Sequence, residues 1–206
     1  MLNNHPALSP WIIIGVFALY GLLHSLLASL TAKQSLERRF GENAKRYYRI
    51  AYNIFSTLSL LPVMALPVLL PDRPWYSIPA PWMGLSFVIQ IISGFLLVLS
   101  VIQAGIWSFL GINQVLGIKM EEGLYTGGLY RYMRHPLYTF SMIFLWATPV
   151  MTYNIAAFCF SISAYFIIGA VYEERKMAVV FGEEYTRYQS QTPMFVPISW
   201  GRPQDR

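Results

Sequence analysis

The chain has 206 residues, 55% of them apolar and only 12% charged, with a mean hydropathy of +0.44. A soluble globule of this size could not cover that much apolar surface. One cysteine excludes a disulfide framework and a Cys-rich metal site, three histidines leave little for a His-rich one, and no metal site is expected. The formal net charge of +5 arises from basic residues flanking apolar runs, which is a membrane-orientation pattern; no nucleic-acid motif is present and no nucleic-acid partner is expected.

In chain order the apolar runs are Trp11 to Leu30, Ile50 to Leu70, Trp82 to Gly105, and a long one from Leu137 to Tyr172. The first three each match the ~20 residues a membrane helix needs. As one helix the last run would measure about 54 Å at ~1.5 Å per residue, far more than the ~30 Å bilayer core. Thr148-Pro149 and Tyr153-Asn154 supply a break, so this run is read as two short antiparallel helices, with a tilted or partly re-entrant hairpin as the alternative. The expected fold is therefore all-α. It is an integral membrane bundle of five transmembrane helices over 11–30, 50–70, 82–105, 137–152 and 155–172, the last two a helical hairpin. A tail, 173–206, carries an amphipathic C-terminal helix, and residues 1–206 make a single domain in contact with the lipid bilayer.

Fourteen of the fifteen Lys and Arg residues fall on one side of this arrangement; only Arg73 faces the other way. By the positive-inside rule the N-terminus is expected outside and the C-terminus in the cytoplasm. No removable leader is expected, because Met1 to Pro10 holds no Lys or Arg and the first apolar run is long enough to span.

The polar residues gather in two stretches, "GLYTGGLYRYMRHPLY" from Gly123 to Tyr138 and "YEERKMAVVFGEEYTRY" from Tyr172 to Tyr188. A hairpin between them returns His135 and Tyr138 to the same side of the bilayer as Glu173 and Glu174. Pro136 suits the first turn of a helix, whose free amides favour an anion, with Arg134 and His135 as further donors. The alternative is that Arg131 and Arg134 snorkel to lipid phosphates and Tyr138 joins an aromatic belt. Carboxylates directly after an apolar helix meet its electronegative end, so Glu173 and Glu174 need partners, for which Arg175 and Lys176 are the plain choice. Glu183 and Glu184 read as a solvated face, and Met177, Phe181, Tyr185 and Tyr188 as a packing stripe. His24, inside the first span, either packs or faces a partner or cavity. Asn113 and Gln114 either cap a turn or hydrogen-bond a ligand, with Trp107 and Phe109 as its apolar wall.

At "GGLYRYMRHPLY", followed by Glu173-Glu174 and then "FGEEYTRYQSQTPMFVPI", the chain resembles the isoprenylcysteine carboxyl methyltransferase and phospholipid methyltransferase superfamily. The resemblance covers Gly94 to Ile198. His24-Ser25, "RYYRIAYN", "FLGINQV" and "RHPLY" followed by "FLWATP" make it most similar to the methanethiol S-methyltransferase branch. This implies an S-adenosylmethionine-dependent methyltransferase with its active site on the cytoplasmic face, acting on a small or lipophilic thiol. A prenyl-cysteine carboxylate or a phospholipid amine is the neighbouring alternative. The implied cofactor contacts are Tyr130, Arg134, His135, Pro136, Leu137, Tyr138, Glu173 and Glu174. His135 and Glu173 are candidate catalytic bases, and His24, Asn113 and Gln114 candidate acceptor contacts; no obligate protein partner is expected. Family members commonly carry glycine where this chain has Phe140, whose ring would narrow the cofactor pocket or shift it.

Two other functions compete. A haem-binding or denitrification-associated membrane protein would use His24 and His135, without a recognisable ligand-pair motif. A small transporter would have His24 as its only ionisable group deep in a span.

Overall fold

The computed structural model describes residues 6–118 and 123–197. Lys119 and the final part of the expected tail, 198–206, lie outside these residues. Helix α1 (Ser9–Ala28) ends where Ser29 turns extended, and the Ser29 hydroxyl accepts from the Ala32 amide at 3.2 Å to start α2 (Leu30–Phe40). Helix α3 (Glu42–Leu69) starts two turns before its apolar run and continues through Pro62 and Pro67. Strand β1 (Pro74–Ser77) leads to α4 (Ala80–Gln103), two short helices α5 (Ile106–Leu110) and α6 (Ile112–Leu116), and a 3₁₀ turn at Gly128–Arg131. Then come α7 (Pro136–Trp146), β2 (Val150–Thr152), α8 (Tyr153–Phe181) and α9 (Glu183–Gln191).

Among the described residues four helices are long and apolar enough to cross a membrane: Ser9–Ala28, Arg46–Leu69, Ala80–Gln103 and Tyr153–Phe181. The segment expected as a fourth span is helical over only the 11 residues of α7, a rod of about 16 Å that reaches half the bilayer core. The break after it is a strand. β2 pairs antiparallel with β1, matching Ser77 to Val150, Tyr76 to Met151 and Pro74 to Thr152 with one irregularity, and so satisfies backbone groups that the hairpin would otherwise leave open.

The second departure bears on the chemistry. Helix α8 does not stop at Tyr172 but runs to Phe181, so Glu173 and Glu174 lie within it and away from its electronegative end. The turn that finally separates α8 from α9 is made by Gly182, with φ 54° and ψ −125°, a conformation that L side chains rarely adopt.

Packing runs partly inside out, as it does in lipid. Ile13, Phe17, Val63, Ala157 and Phe158 form the core where α1, α3 and α8 meet, while Ile91, Phe95, Val68 and Val179 face outward. On α4, Ser86, Ser93 and Ser100 recur every seven residues and are all buried, and a Cβ at Gly94 would lie 3.6 Å from the Phe144 ring of α7. Small residues on that face let the two helices approach closely, which is how helices associate without a hydrophobic driving force.

Candidate active site

Pro136 opens α7 and is fully buried, with His135 at the cap position. The segment after α9 folds over this helix start. Carbonyls of Pro193 and Met194 accept from the amides of Arg134 at 2.9 Å and His135 at 3.1 Å, and the Thr139 hydroxyl donates to Phe195 O at 3.0 Å. The backbone amides of Arg134 and His135 are thus spent inside the chain.

The Arg134 guanidinium grips Glu174 in a two-pronged pair, Nε to Oε1 at 2.6 Å and Nη2 to Oε2 at 2.8 Å. Its Nη1 donates to Gln189 O at 3.1 Å and to Thr192 O. Gln189 Nε2 adds 2.7 Å to Glu174 Oε2, and His135 Nε2 lies 3.0 Å from Glu174 Oε1. Arg134, rather than the expected Arg175 and Lys176, is therefore the cation for Glu174. Arg175 instead lies over the Tyr172 ring, 5.7 Å from its centroid. Arg131 belongs to the separate 3₁₀ turn.

Glu173 differs. Its side chain is 47% exposed against 11% for Glu174, its Oε2 accepts from Tyr138 Oη at 3.0 Å, and it stands 3.8 Å from His135 Nδ1. The Tyr138 ring stacks parallel to His135 and to Phe166, with centroids 5.4 and 4.8 Å apart. Tyr130 reaches the same place from the 3₁₀ turn. Its carbonyl accepts from Tyr188 Oη at 2.5 Å, and its phenol is pushed up to about 12 by burial, then by the Glu173 charge. Burial, followed by the Glu174 charge, likewise pushes the Tyr185 phenol up to about 12. The turn is fixed by Gly128, at φ 54°: a Cβ there would lie 2.5 Å from Gln103, whose Oε1 accepts from the Leu129 amide at 2.9 Å.

The structure thus brings together Tyr130, Arg134, His135, Pro136, Leu137, Tyr138, Glu173 and Glu174. His24 is near them, on the wall of a cavity of about 860 Å³ between α1 and α8 to which Tyr138 also contributes. Tyr52 Oη lies 2.7 Å from His24 Nε2 and Tyr20 Oη 3.4 Å from Nδ1. Both histidines therefore have each ring nitrogen directed at a partner in the chain, and among the described residues no group of three or more His, Cys, Asp or Glu could hold a metal. Asn113 and Gln114 are not on the cavity wall. Asn113 Nδ2 donates to Ser108 Oγ at 2.7 Å, and α6 is tied to α3 through Arg46 Nε donating to Val115 O at 2.7 Å. Phe140 is half-buried and also off that wall.

Sequence reasoning missed Gln189, Thr192 and Tyr188 as part of this constellation. The only available hint was the position of "YTRYQSQTP" within the resembling segment, since a Gln or Thr in a polar stretch carries no periodic signal of burial.

Comparison with known proteins follows the same constellation. The family model for phospholipid methyltransferase matches residues 82–184, which include α7 and the Glu173-Glu174 pair. The chain belongs to the phospholipid methyltransferase family. It is 29% identical to methanethiol S-methyltransferase of Crocosphaera subtropica over 90% of this chain and 73% of that protein. It is 28% identical to methanethiol S-methyltransferase 1 of Bradyrhizobium diazoefficiens over 91% of this chain and 66% of that protein. With protein-S-isoprenylcysteine O-methyltransferase A of Arabidopsis thaliana it shares 31% identity over 71% of this chain and 74% of that one. No solved structure matches the chain. Family membership and the four membrane-length helices make this a membrane methyltransferase.

Proposed function

We propose that the chain transfers a methyl group from S-adenosylmethionine to a thiol, at the end of the bundle where α7 begins, and that this end faces the cytoplasm. The observation that carries the reading is the half-exposed Glu173 carboxylate, held beside the buried His135 by Tyr138, which itself lines the α1–α8 cavity. The residues suit the donor. A carboxylate that keeps half its surface outward can accept hydrogen bonds from ribose hydroxyls, and a phenol face such as that of Tyr130 attracts a sulfonium by ~0.5–2 kcal/mol. When bound, S-adenosylmethionine supplies a sulfonium-borne methyl group.

Within the expected contact set the roles divide. Arg134 and Glu174 are committed to each other and to α9 and its C-terminal end, so they position His135; Glu173, His135, Tyr138 and Tyr130 face the ligand. The reaction breaks the thiol S–H and the donor's methyl–sulfur bond and forms one new carbon–sulfur bond, with the proton passing to His135, to Glu173 or to water. Positioning and exclusion of water can account for much of the acceleration in such a displacement. The names of the relatives from Crocosphaera and Bradyrhizobium support a thiol acceptor, and the strong basic asymmetry supports a cytoplasmic site.

The test is incubation of membranes containing the protein with methyl-labelled S-adenosylmethionine and a panel of thiols, prenyl-cysteines and phospholipids. Label in a thioether is expected. Label in a carboxyl ester or a lipid amine would replace the thiol by one of those acceptors, and absence of any labelled product would overturn the reading.

A further inference from the structure

The cavity between α1 and α8 is large for a one-carbon thiol. Methanethiol takes up of the order of 90 Å³, about three times the share of a liquid water, whereas the cavity measures about 860 Å³. That places it in the upper part of the ~300–1,000 Å³ range of sites that enclose whole organic ligands.

The wall is uneven along its length. Contacts between the two helices run from Phe17 against Phe158 to Ser25 against Tyr165, so the helices run side by side in the same direction. Toward the β-ribbon the cavity is lined by Ile14, Phe17, Ala18 and Phe160; toward the candidate active site it is lined by His24, Ser25, Tyr165 and Tyr138. The stretch of α1 from Ile14 to Ser25 rises about 16 Å. Polar groups at such depth are costly unless they serve a partner or a pathway.

The polar end also has a donor to spare. Ser25 Oγ and Tyr165 Oη lie 3.1 Å apart and make no other hydrogen bond among the described residues. Two hydroxyls that share one hydrogen bond use one O–H proton and leave the other for a ligand. His24 is held firm behind them. Tyr20 gives its proton to Ser56 O at 3.1 Å, so His24 Nδ1–H donates to Tyr20 and Nε2 accepts from Tyr52. On the far side of the same wall, Tyr138 leads directly to Glu173.

We infer that this cavity holds the methyl acceptor, and that the acceptor is a thiol at the end of an extended apolar chain. Its sulfur sits at the Ser25–Tyr165 pair beside Tyr138, and its chain runs along α1 toward Ile14 and Phe160. This rests on the methyl-transfer reading for the meaning of "acceptor", while the cavity's preference for such a ligand is measurable without turnover.

The experiment measures binding of 1-decanethiol, decane and methanethiol to the intact protein in nanodiscs, with S-adenosylmethionine binding followed separately. Two variants fill the cavity. Ala164→Leu enlarges a side chain that lines the cavity on α8 between Phe160 and Tyr165, and Ala18→Phe adds one at an exposed position of α1. A third, Tyr165→Phe, removes one hydroxyl of the pair. The wild type is expected to bind 1-decanethiol roughly tenfold more tightly than either decane or methanethiol. Each filling variant should lower decanethiol affinity roughly tenfold and leave donor affinity unchanged, and Tyr165→Phe should erase the preference over decane. Decane binding as well as decanethiol would reduce the cavity to a lipid-filled groove and overturn the inference, as would indifference to both filling variants. Selective decanethiol binding by a protein that never binds S-adenosylmethionine would uphold the cavity's ligand class and defeat the methyl-transfer reading instead.

Discussion

At the β-ribbon end of the molecule, Asp72 and the Asn154 side-chain nitrogen are used within the chain, while Asn154 Oδ1 is buried with no hydrogen-bond partner among the described residues. Asp72 Oδ1 accepts from the amides of Arg73 at 2.7 Å and Asn154 at 3.1 Å, while the buried Asn154 side chain reaches the carbonyls of Leu70 and Pro71 at 3.3 Å. About 30 Å away along α8, Arg134, Glu174 and Gln189 form a closed clasp, but Glu173 beside it keeps half its side chain open and Tyr138 continues into a cavity. Both ends answer the same requirement, that polar groups near lipid find partners, the ribbon less completely because Asn154 Oδ1 has none among the described residues. Only one end goes beyond it, and that surplus is what separates a site from a clasp.

The sharpest way to break this comparison is Arg134→Ala. It leaves the buried Glu174 carboxylate without its cation, and breaking such a pair costs about 3–5 kcal/mol, so thermal unfolding in detergent should occur at a clearly lower temperature. Unfolding at the wild-type temperature would show that the clasp holds nothing together. Next in size is Glu173→Gln. A charge-assisted hydrogen bond contributes about 1.5–3 kcal/mol, so S-adenosylmethionine affinity by titration calorimetry should fall roughly ten- to a hundredfold while the melting temperature hardly moves. Equal losses of stability for the two glutamates would erase their division of labour. Smallest is Asn154→Ala at the ribbon, which should cost about 1–3 kcal/mol of stability and leave donor binding untouched. A change in donor affinity there would mean that the two ends are coupled through α8.

Much of the bundle was legible because lipid imposes a simple rule: runs of about 20 apolar residues become helices. The first three spans lie within a few residues of their expected places, and Thr148-Pro149 does interrupt the final run. The length of α8 was not legible. Glu173, Glu174, Arg175 and Lys176 look like the end of a membrane helix, yet the helix continues for two more turns because Arg134, His135 and Gln189 compensate Glu174 from other segments. The pairing of β1 with β2 was equally hidden, since strands of four and three residues carry too little pattern to read.

The amino-acid sequence by itself determined the membrane class, the basic asymmetry and the residues that gather where α7 begins, because hydropathy, charge and motif order are properties of the chain as written. Which of two adjacent glutamates faces outward, and whether His24 borders a cavity or packs against a neighbour, was decided only by tertiary structure. Neighbouring positions on a helix differ by about 100° in direction, and what each meets depends on segments far away in the chain.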